Sequence, residues 1–522
     1  MFKKLFSVVT AVVLSVSAAA FTAGCSNNKT DPAAIQISVA KLGYGTQWLH
    51  NLADAYTANT GVKVQITEEI GQQGNSKINT AVKSLVSDID IAFQQGSVWG
   101  NVYDGSVSVD GVTYDTLYAD LAEVYEYKPE GENGLSIYDK MDSDVRDQLS
   151  EGDKFYGVPW ATNFMGIVIN NEVWRDLGFS DEDNPLTSDD LFDVCDEILA
   201  KNAGVSPFIY CSQDEYYTAF SPLWVAQYEG RAQMDYFMQG RGPDGTSGEY
   251  LYTYDGMLYA LEAMERLIAT PGYQDSASAS LDFSDMQGYF LQGRSVFCVN
   301  GSWLEVEMSN YTGVDVNYIR TPVISAIVNK TPSIRAAAEA AGKDADDVLA
   351  DIIAEIDTNE DITSSSAYPT VKADDIAIIK EARSLSYIGS AADMIGYVPA
   401  YSDKIEQAKD FLKFMFSDEG LNIYYETLNG VKLPCTPSNG YAADIEETPF
   451  RKTVNEAQES GYIFNYEVMK NKIFTVAGVD AYFRNGTGSI VSNFLNGSHA
   501  QQILSANTNN IQSRWNQIRQ YL

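Results

Sequence analysis

The chain is short of histidine, of basic residues and of clustered cysteine, and each shortage removes a class of function. Histidine occurs only at His50 and His499. That excludes a His-rich zinc site and makes a Ser-His-Asp triad hard to assemble. His50 falls mid-helix in a Trp48/Leu52 pattern and His499 follows Asn496-Gly497-Ser498, positions that suit packing or solvent better than catalysis. Basic residues number 35 against 71 acidic ones, a formal charge of -36. So acidic a chain lacks the basic patches that nucleic acid or an anionic membrane surface requires. No Walker A loop and no Rossmann G-x-G-x-x-G occurs. The acid-rich run Asp357–Ile362 has the first spacings of an EF-hand loop but lacks its glycine and closing glutamate. No metal and no cofactor is expected. Beyond Cys25, cysteine is limited to Cys195, Cys211, Cys298 and Cys435, widely spaced and with no CxxC. A chain long enough to build its own core does not need disulfides, so these four read as small buried hydrophobes.

What is present begins with an export signal. Lys3-Lys4 precede an apolar run, Leu5–Phe21, which closes on Thr22-Ala23-Gly24-Cys25. Small residues at that point mark cleavage. With cysteine next, followed by the polar Ser26-Asn27-Asn28, the segment resembles a bacterial lipoprotein signal in which Cys25 becomes the lipidated N-terminus. Thr22 stands where leucine is commonest. An uncleaved apolar anchor is the alternative, since the run is about long enough to span a bilayer. Either reading places the folded part outside the cytoplasm.

Beyond the tether, Ile35–Val39 alternates with period two and reads as a strand. Thr46 is placed to cap a helix with Trp48, Leu49, Leu52, Ala55 and Tyr56 on one face, stopped by Asn59-Thr60-Gly61. Val62–Ile66 alternates again. Strand–helix–strand implies a parallel sheet with a right-handed crossover. A second unit follows, with a helix around Lys77–Val86 and the strand Asp90–Phe93. The loops Leu42–Gly45 and Gln94–Ser97 then fall at C-terminal strand ends, the edge where open α/β sheets bind ligands. Tyr156–Phe164 carries Pro159-Trp160 and Asn163 and feeds a buried strand ending at Asn170-Asn171. It reads as a passage between lobes, where small-ligand sites concentrate. Thr187 and Asp190 form a capping-box pattern, residues 331–385 read as acidic helices, and a strong helical pattern begins at Asp403.

Several blocks in order resemble the extracellular solute-binding proteins of carbohydrate ABC importers, the group that includes maltose-binding protein. They are the opening strand–helix–strand ending in Thr60–Val64, Tyr156–Pro159 with its strand ending in Asn170-Asn171, Pro185–Thr187, Phe290–Arg294 with Asn300–Trp303, Ala408–Phe414 with Ser417–Gly420, and Phe494–Gly497. The resemblance implies a two-lobed α/β, periplasmic-binding-protein-like fold of type II, with three inter-lobe crossings and a ligand cleft between the lobes. Carried onto this sequence, it gives a signal peptide at 1–24, a tether at 25–34, a first lobe from 35–160 and 386–435, and a second lobe from 161–385 and 436–522. Residues 331–385 form an insertion, and the crossings fall near Trp160–Phe164, Ser386–Ile395 and Pro434–Pro437. The implied function is non-enzymatic. A monomer, lipid-anchored through Cys25 on the outer face of the cell membrane, captures a carbohydrate and delivers it to permease subunits.

Sugars are held by aromatic rings stacked on their C–H faces and by amides that bond their hydroxyls. Trp303, Trp160, Tyr44, Tyr216, Tyr217, Asn163, Gln94 and Gln95 stand in loops or at element ends and are the candidate ligand contacts. The competing readings are an exported glycoside-active enzyme with paired carboxylates and a sugar-sensing lipoprotein that feeds no transporter.

Overall fold

The computed structural model describes residues 31, 33–211, 216–311, 313–390, 394–460, 462–465, 470–483 and 490–522. The signal segment and Cys25 lie outside the described residues. The main strands are β1 (Ile35–Lys41), β2 (Val64–Ile70), β3 (Ile91–Gln95), β4 (Val158–Pro159), β5 (Asn163–Asn170), β6 (Ser206–Ile209), β7 (Ser295–Gly301), β8 (Val316–Ile319), β9 (Tyr387–Ser390), β10 (Met394–Tyr397) and β11 (Ile463–Asn465).

These strands form two sheets, one per lobe. The first runs in the order β2-β1-β3-β10-β4. As the alternating segments imply, β1 pairs in parallel with both β2 and β3, and β10 closes the sheet antiparallel to β3. The helix Gln47–Thr60 covers this sheet with Trp48, Leu49, Leu52, Ala53 and Tyr56, and Gly61 ends it with a φ of 75°. The second sheet runs β6-β7-β5-β9-β11. β5 is antiparallel to β7 on one edge; its other edge is shared by β8 and β9.

Four local expectations shift. Thr46 sits at the start of its helix, but its hydroxyl donates to Glu68 Oε1 (2.7 Å) instead of capping. The second helix is Gly71–Lys83, beginning directly after β2. The helix expected at Asp403 is Ile405–Met415. Its preceding turn serves the buried Asp90 instead: Ser402 Oγ donates to Asp90 Oδ1 (2.6 Å) and accepts from Lys404 N (3.0 Å), while Lys404 Nζ reaches Asp90 Oδ2 (3.3 Å). The return to the first lobe also comes later than residue 386. Tyr387–Ser390 still pairs with β5, and Met394–Tyr397 is the first stretch back beside β3.

The third passage is displaced as well. Cys435 is buried in the first lobe's core, Tyr441 stacks on Tyr425 at 4.1 Å, and Ala442 N donates to Asn422 Oδ1 at 2.6 Å. The helix Pro449–Ser460 then lies on the second lobe, where Thr453 Oγ1 accepts from Tyr318 N at 3.1 Å. The crossing therefore falls between Ala442 and Pro449, not at Pro434–Pro437.

The insertion is a helical layer with its own core. Ile334, Leu349, Ile352, Ile353, Ile376 and Ile379 pack with Val323 and Ile327 of the second lobe. Thr187 and Asp190 make the expected capping box, and Thr187 Oγ1 also donates to Asp346 of the insertion at 2.5 Å. Cys195, Cys211, Cys298 and Cys435 are all buried, and burial pushes the Cys435 thiol up to about 12.

Candidate functional site

The first passage fixes the junction between the lobes. Trp160 is fully buried in the first lobe's core, its ring stacked 5.5 Å from Trp48, its Nε1 donating to Gln94 O (3.0 Å) and its carbonyl accepting from Tyr424 Oη (2.9 Å). The ring fills space under β3 and has no face free for a ligand. Two residues on, Thr162 O accepts from Tyr44 Oη at 2.7 Å, and the same hydroxyl lies 2.8 Å from Ser302 Oγ. Tyr44 belongs to the loop after β1, Thr162 to the passage and Ser302 to the end of β7. One buried hydroxyl cluster thus joins first lobe, hinge and second lobe.

Trp303 follows Ser302 and is partly exposed. Its ring folds back over Gly301 and rests on Gly43 of the other lobe. A Cβ on Gly43 would stand 2.7 Å from the ring, and one on Gly301 would overlap it. The two glycines allow an indole to lie between the lobes at van der Waals distance. Tyr216, also partly exposed, meets Trp303 edge-on at 5.7 Å and leans on Phe283 at 5.0 Å. Its neighbour Tyr217 points the other way. It is fully buried in the second lobe's core, with its hydroxyl donating to Gln274 Oε1 at 3.0 Å.

The amides are spread more widely. Gln94 is buried, and its Oε1 has no hydrogen-bond partner among the described residues. Gln95 is partly exposed; its Oε1 accepts from Gln72 Nε2 at 2.6 Å and its N–H donates to Asn75 Oδ1 at 3.0 Å. Asn163 is buried at the start of β5, opposite Ser390 of β9. Of the eight candidates, Tyr44, Trp303 and Tyr216 are brought together at the junction. Gln94 and Gln95 stand at the end of β3, with Gln95 tied to Gln72, and Asn163 at the start of β5 lines a cavity beside the junction. Trp160 and Tyr217 are core residues.

Sequence reasoning missed the partners that make this arrangement: Gly43, Thr162, Ser302 and a cationic strap farther along. Lys470 of the second lobe donates to Asp147 O (2.9 Å) and to Ser150 O of the first, and its ammonium lies 5.2 Å from the Trp99 ring. Lys472 sits over Tyr103 at 4.5 Å, and Tyr103 Oη donates to Lys470 O at 2.7 Å. These contacts join two cations to a first-lobe face that also carries Asp144, Asp147 and Glu151. Burial, together with Glu151, pushes the Tyr103 phenol up to about 12, so it stays a donor. Gly43 was the one visible signal, since it lies in the strand-end loop Leu42–Gly45 beside an aromatic.

Two cavities flank the junction. One of about 670 Å³ lies beside Tyr44, between Lys41–His50 of the first lobe and Leu304–Met308 of the second. The other, about 630 Å³, lies on the Asn163 side, between 142–145 of the first lobe and β11. Neither is lined by Trp303 or Tyr216. Among the described residues, no group of histidine, cysteine, aspartate and glutamate is placed to hold a metal ion.

Two α/β lobes, joined by three passages and meeting over an aromatic pair, define a hinged binding protein. The chain belongs to the bacterial extracellular solute-binding proteins, whose family model matches residues 51–453. That family consists of binding proteins, not enzymes, which removes the glycoside-active alternative. Solved structures agree on the fold. The solute-binding protein RafE in complex with raffinose is 14% identical with a TM-score of 0.53, the match covering 92% of this chain and 99% of that one. The apo form of RafE from Streptococcus pneumoniae is 13% identical with a TM-score of 0.55, covering 92% and 98%. No curated protein matches the chain.

Proposed function

We propose that this protein captures a carbohydrate between its lobes and delivers it to the permease subunits of an ABC importer. The observation that carries the reading is the Trp303–Tyr216 pair held at the lobe junction over Gly43. An indole and a phenol set edge to face offer an apolar surface with polar rims, which suits a ring that has C–H faces and hydroxyl edges. Gln95 and Asn163 are the amides this reading assigns to the hydroxyls, and the buried Tyr44–Ser302–Thr162 cluster ties the lobes together at the same junction. RafE, which shares the fold, is described in complex with raffinose, and that supports a mono- or oligosaccharide as ligand here. The protein acts as a monomer and closes on its ligand by hinge motion.

A thermal-shift screen against mono- and oligosaccharides, raffinose included, tests the proposal. The expected result is a raised melting temperature with a defined sugar, and a smaller radius of gyration by solution scattering when that sugar saturates the protein. No sugar shifting the melting temperature, or an unchanged radius at saturation, would count against it.

We also propose lipid anchoring through Cys25, which would hold the protein at the outer face of the cell membrane. A diacylglyceryl group with or without a further chain meets the need for two or more chains in stable attachment. Cys25→Ala is expected to abolish metabolic lipid labelling and to leave the precursor unprocessed. Labelling that persists in the variant would refute the anchor.

A further inference from the structure

We propose that the cavity beside Tyr44 is a second ligand site, made for an uncharged and mainly apolar small molecule. It is distinct from the aromatic pair of the carbohydrate reading, because neither Trp303 nor Tyr216 lines it, and Tyr44 is the one sugar-contact candidate that borders it. Its volume of about 670 Å³ lies within the roughly 300–1,000 Å³ of small-molecule sites. The second lobe supplies an apolar wall of Leu304, Val306, Met308, Val314 and Val316, and Phe450 extends it from the end of the third passage.

The opposite rim is polar, but its charges are already matched. Glu68 accepts from the Thr46 hydroxyl at 2.7 Å, lies 2.8 Å from His50 Nε2, and faces Lys41 at 3.7 Å. The His50 ring and the Thr46 hydroxyl hold the Glu68 carboxyl below its ordinary value, so it stays ionised within this cluster. Glu305, the other lining carboxylate, is engaged by Thr448 Oγ1 and by the buried Arg451, with Nη2 at 3.0 Å. A charged ligand would lose its hydration and gain no unpaired counter-charge. A bare sugar would press most of its hydroxyls against the aliphatic wall, where nothing bonds them. What remains suits an apolar body with one polar end, which Gln47, Thr427 or Asn429 at the rim would orient.

The position gives such a ligand a consequence. It would touch the first lobe, the second lobe and the start of the helix after the third passage at once. Occupancy is therefore tied to the angle between the lobes, and a ligand favouring one angle shifts the population toward it.

Nile red, neutral and free of sugar, is the probe. Titrated into the protein, it is expected to bind saturably, one dye per molecule, with blue-shifted emission. Met308→Asp and Val314→Asp place a carboxylate on partly exposed wall positions and should each weaken binding about tenfold or more. Val86→Asp, at a side chain 86% exposed and outside the cavity, should leave binding unchanged. In the unaltered protein labelled with ¹³C-methyl methionine, the Met308 resonance, assigned with Met308→Leu, should shift on dye addition, a readout that does not depend on how the aspartate variants fold. Dye uptake that does not saturate, parental affinity in both aspartate variants, or a Met308 resonance that stays in place would each overturn the proposal.

Discussion

Replacing Trp303 with alanine is expected to weaken carbohydrate binding by about 10- to 100-fold while leaving the lobes folded. The magnitude follows from burial. Fully covering a large side chain in the complex contributes roughly 1.5–3 kcal/mol, and each 1.4 kcal/mol is about tenfold in affinity. The indole is partly exposed, its ring lies on Gly43 of the opposite lobe, and Tyr216 meets it edge-on at 5.7 Å. On the proposed reading the ring contacts the sugar from this position, and truncation removes that contact. A core tryptophan would behave differently: its loss costs about 3–5 kcal/mol of stability and leaves affinity nearly intact in whatever stays folded. Calorimetric affinity and melting temperature measured on the same variant separate the two. A large fall in stability with unchanged affinity would remove Trp303 from the site and, with it, the aromatic pair on which the carbohydrate reading rests.

The second large effect is on stability, far from the aromatic pair. Lys140→Met is expected to destabilise the first lobe by about 3–5 kcal/mol, the cost of breaking a buried ion pair from one side. The Lys140 side chain is 1% exposed and that of Glu132 7%; the ammonium donates to Glu132, to Phe416 O at 2.8 Å and to Asp418 Oδ1 at 3.3 Å. Methionine keeps the stem's volume but leaves Glu132 without its cation. Urea unfolding of parent and variant gives the difference. A loss below about 1 kcal/mol, the scale of an exposed pair, would show that the cluster is solvated in solution.

Asp418 gives the same cluster a defined acid limb. Burial opposes its ionisation, but the Ser438 hydroxyl, the Ser438 and Asn439 amides and the Asn439 side chain outweigh burial and hold the carboxyl well below the usual aspartate range. A carboxyl depressed in the folded state stabilises the fold above its unfolded value, about 3.9. That stability is lost as pH falls from there through the folded value. Asp418→Asn should flatten this limb.

Much of the architecture was written locally. The first strand–helix–strand unit is legible because period-two alternation, an apolar helical face and Gly61 act within a few residues of one another, and the sheet pairs as they imply. The same holds for the capping box of Thr187 and Asp190 and for the four cysteines, whose spacing in apolar surroundings already spoke for burial. Trp303 was legible as an end-of-strand aromatic behind Asn300-Gly301-Ser302.

The fate of the other aromatics was decided by neighbours distant in sequence. Trp160 and Trp303 look alike in the chain, but Trp48 and Tyr424 enclose the first while Gly43 leaves the second between lobes. Tyr216 and Tyr217 are adjacent, and only the packing of Phe208, Phe220 and Gln274 draws Tyr217 inward. The third passage shifted because Tyr441 found Tyr425, a contact no local pattern announces. The sequence by itself determined which segments form strands and helices and where the polar and apolar faces lie. Which aromatic faces the cleft, and where the chain changes lobes, depended on tertiary packing, because burial belongs to the space a side chain enters and not to the residues beside it in the chain.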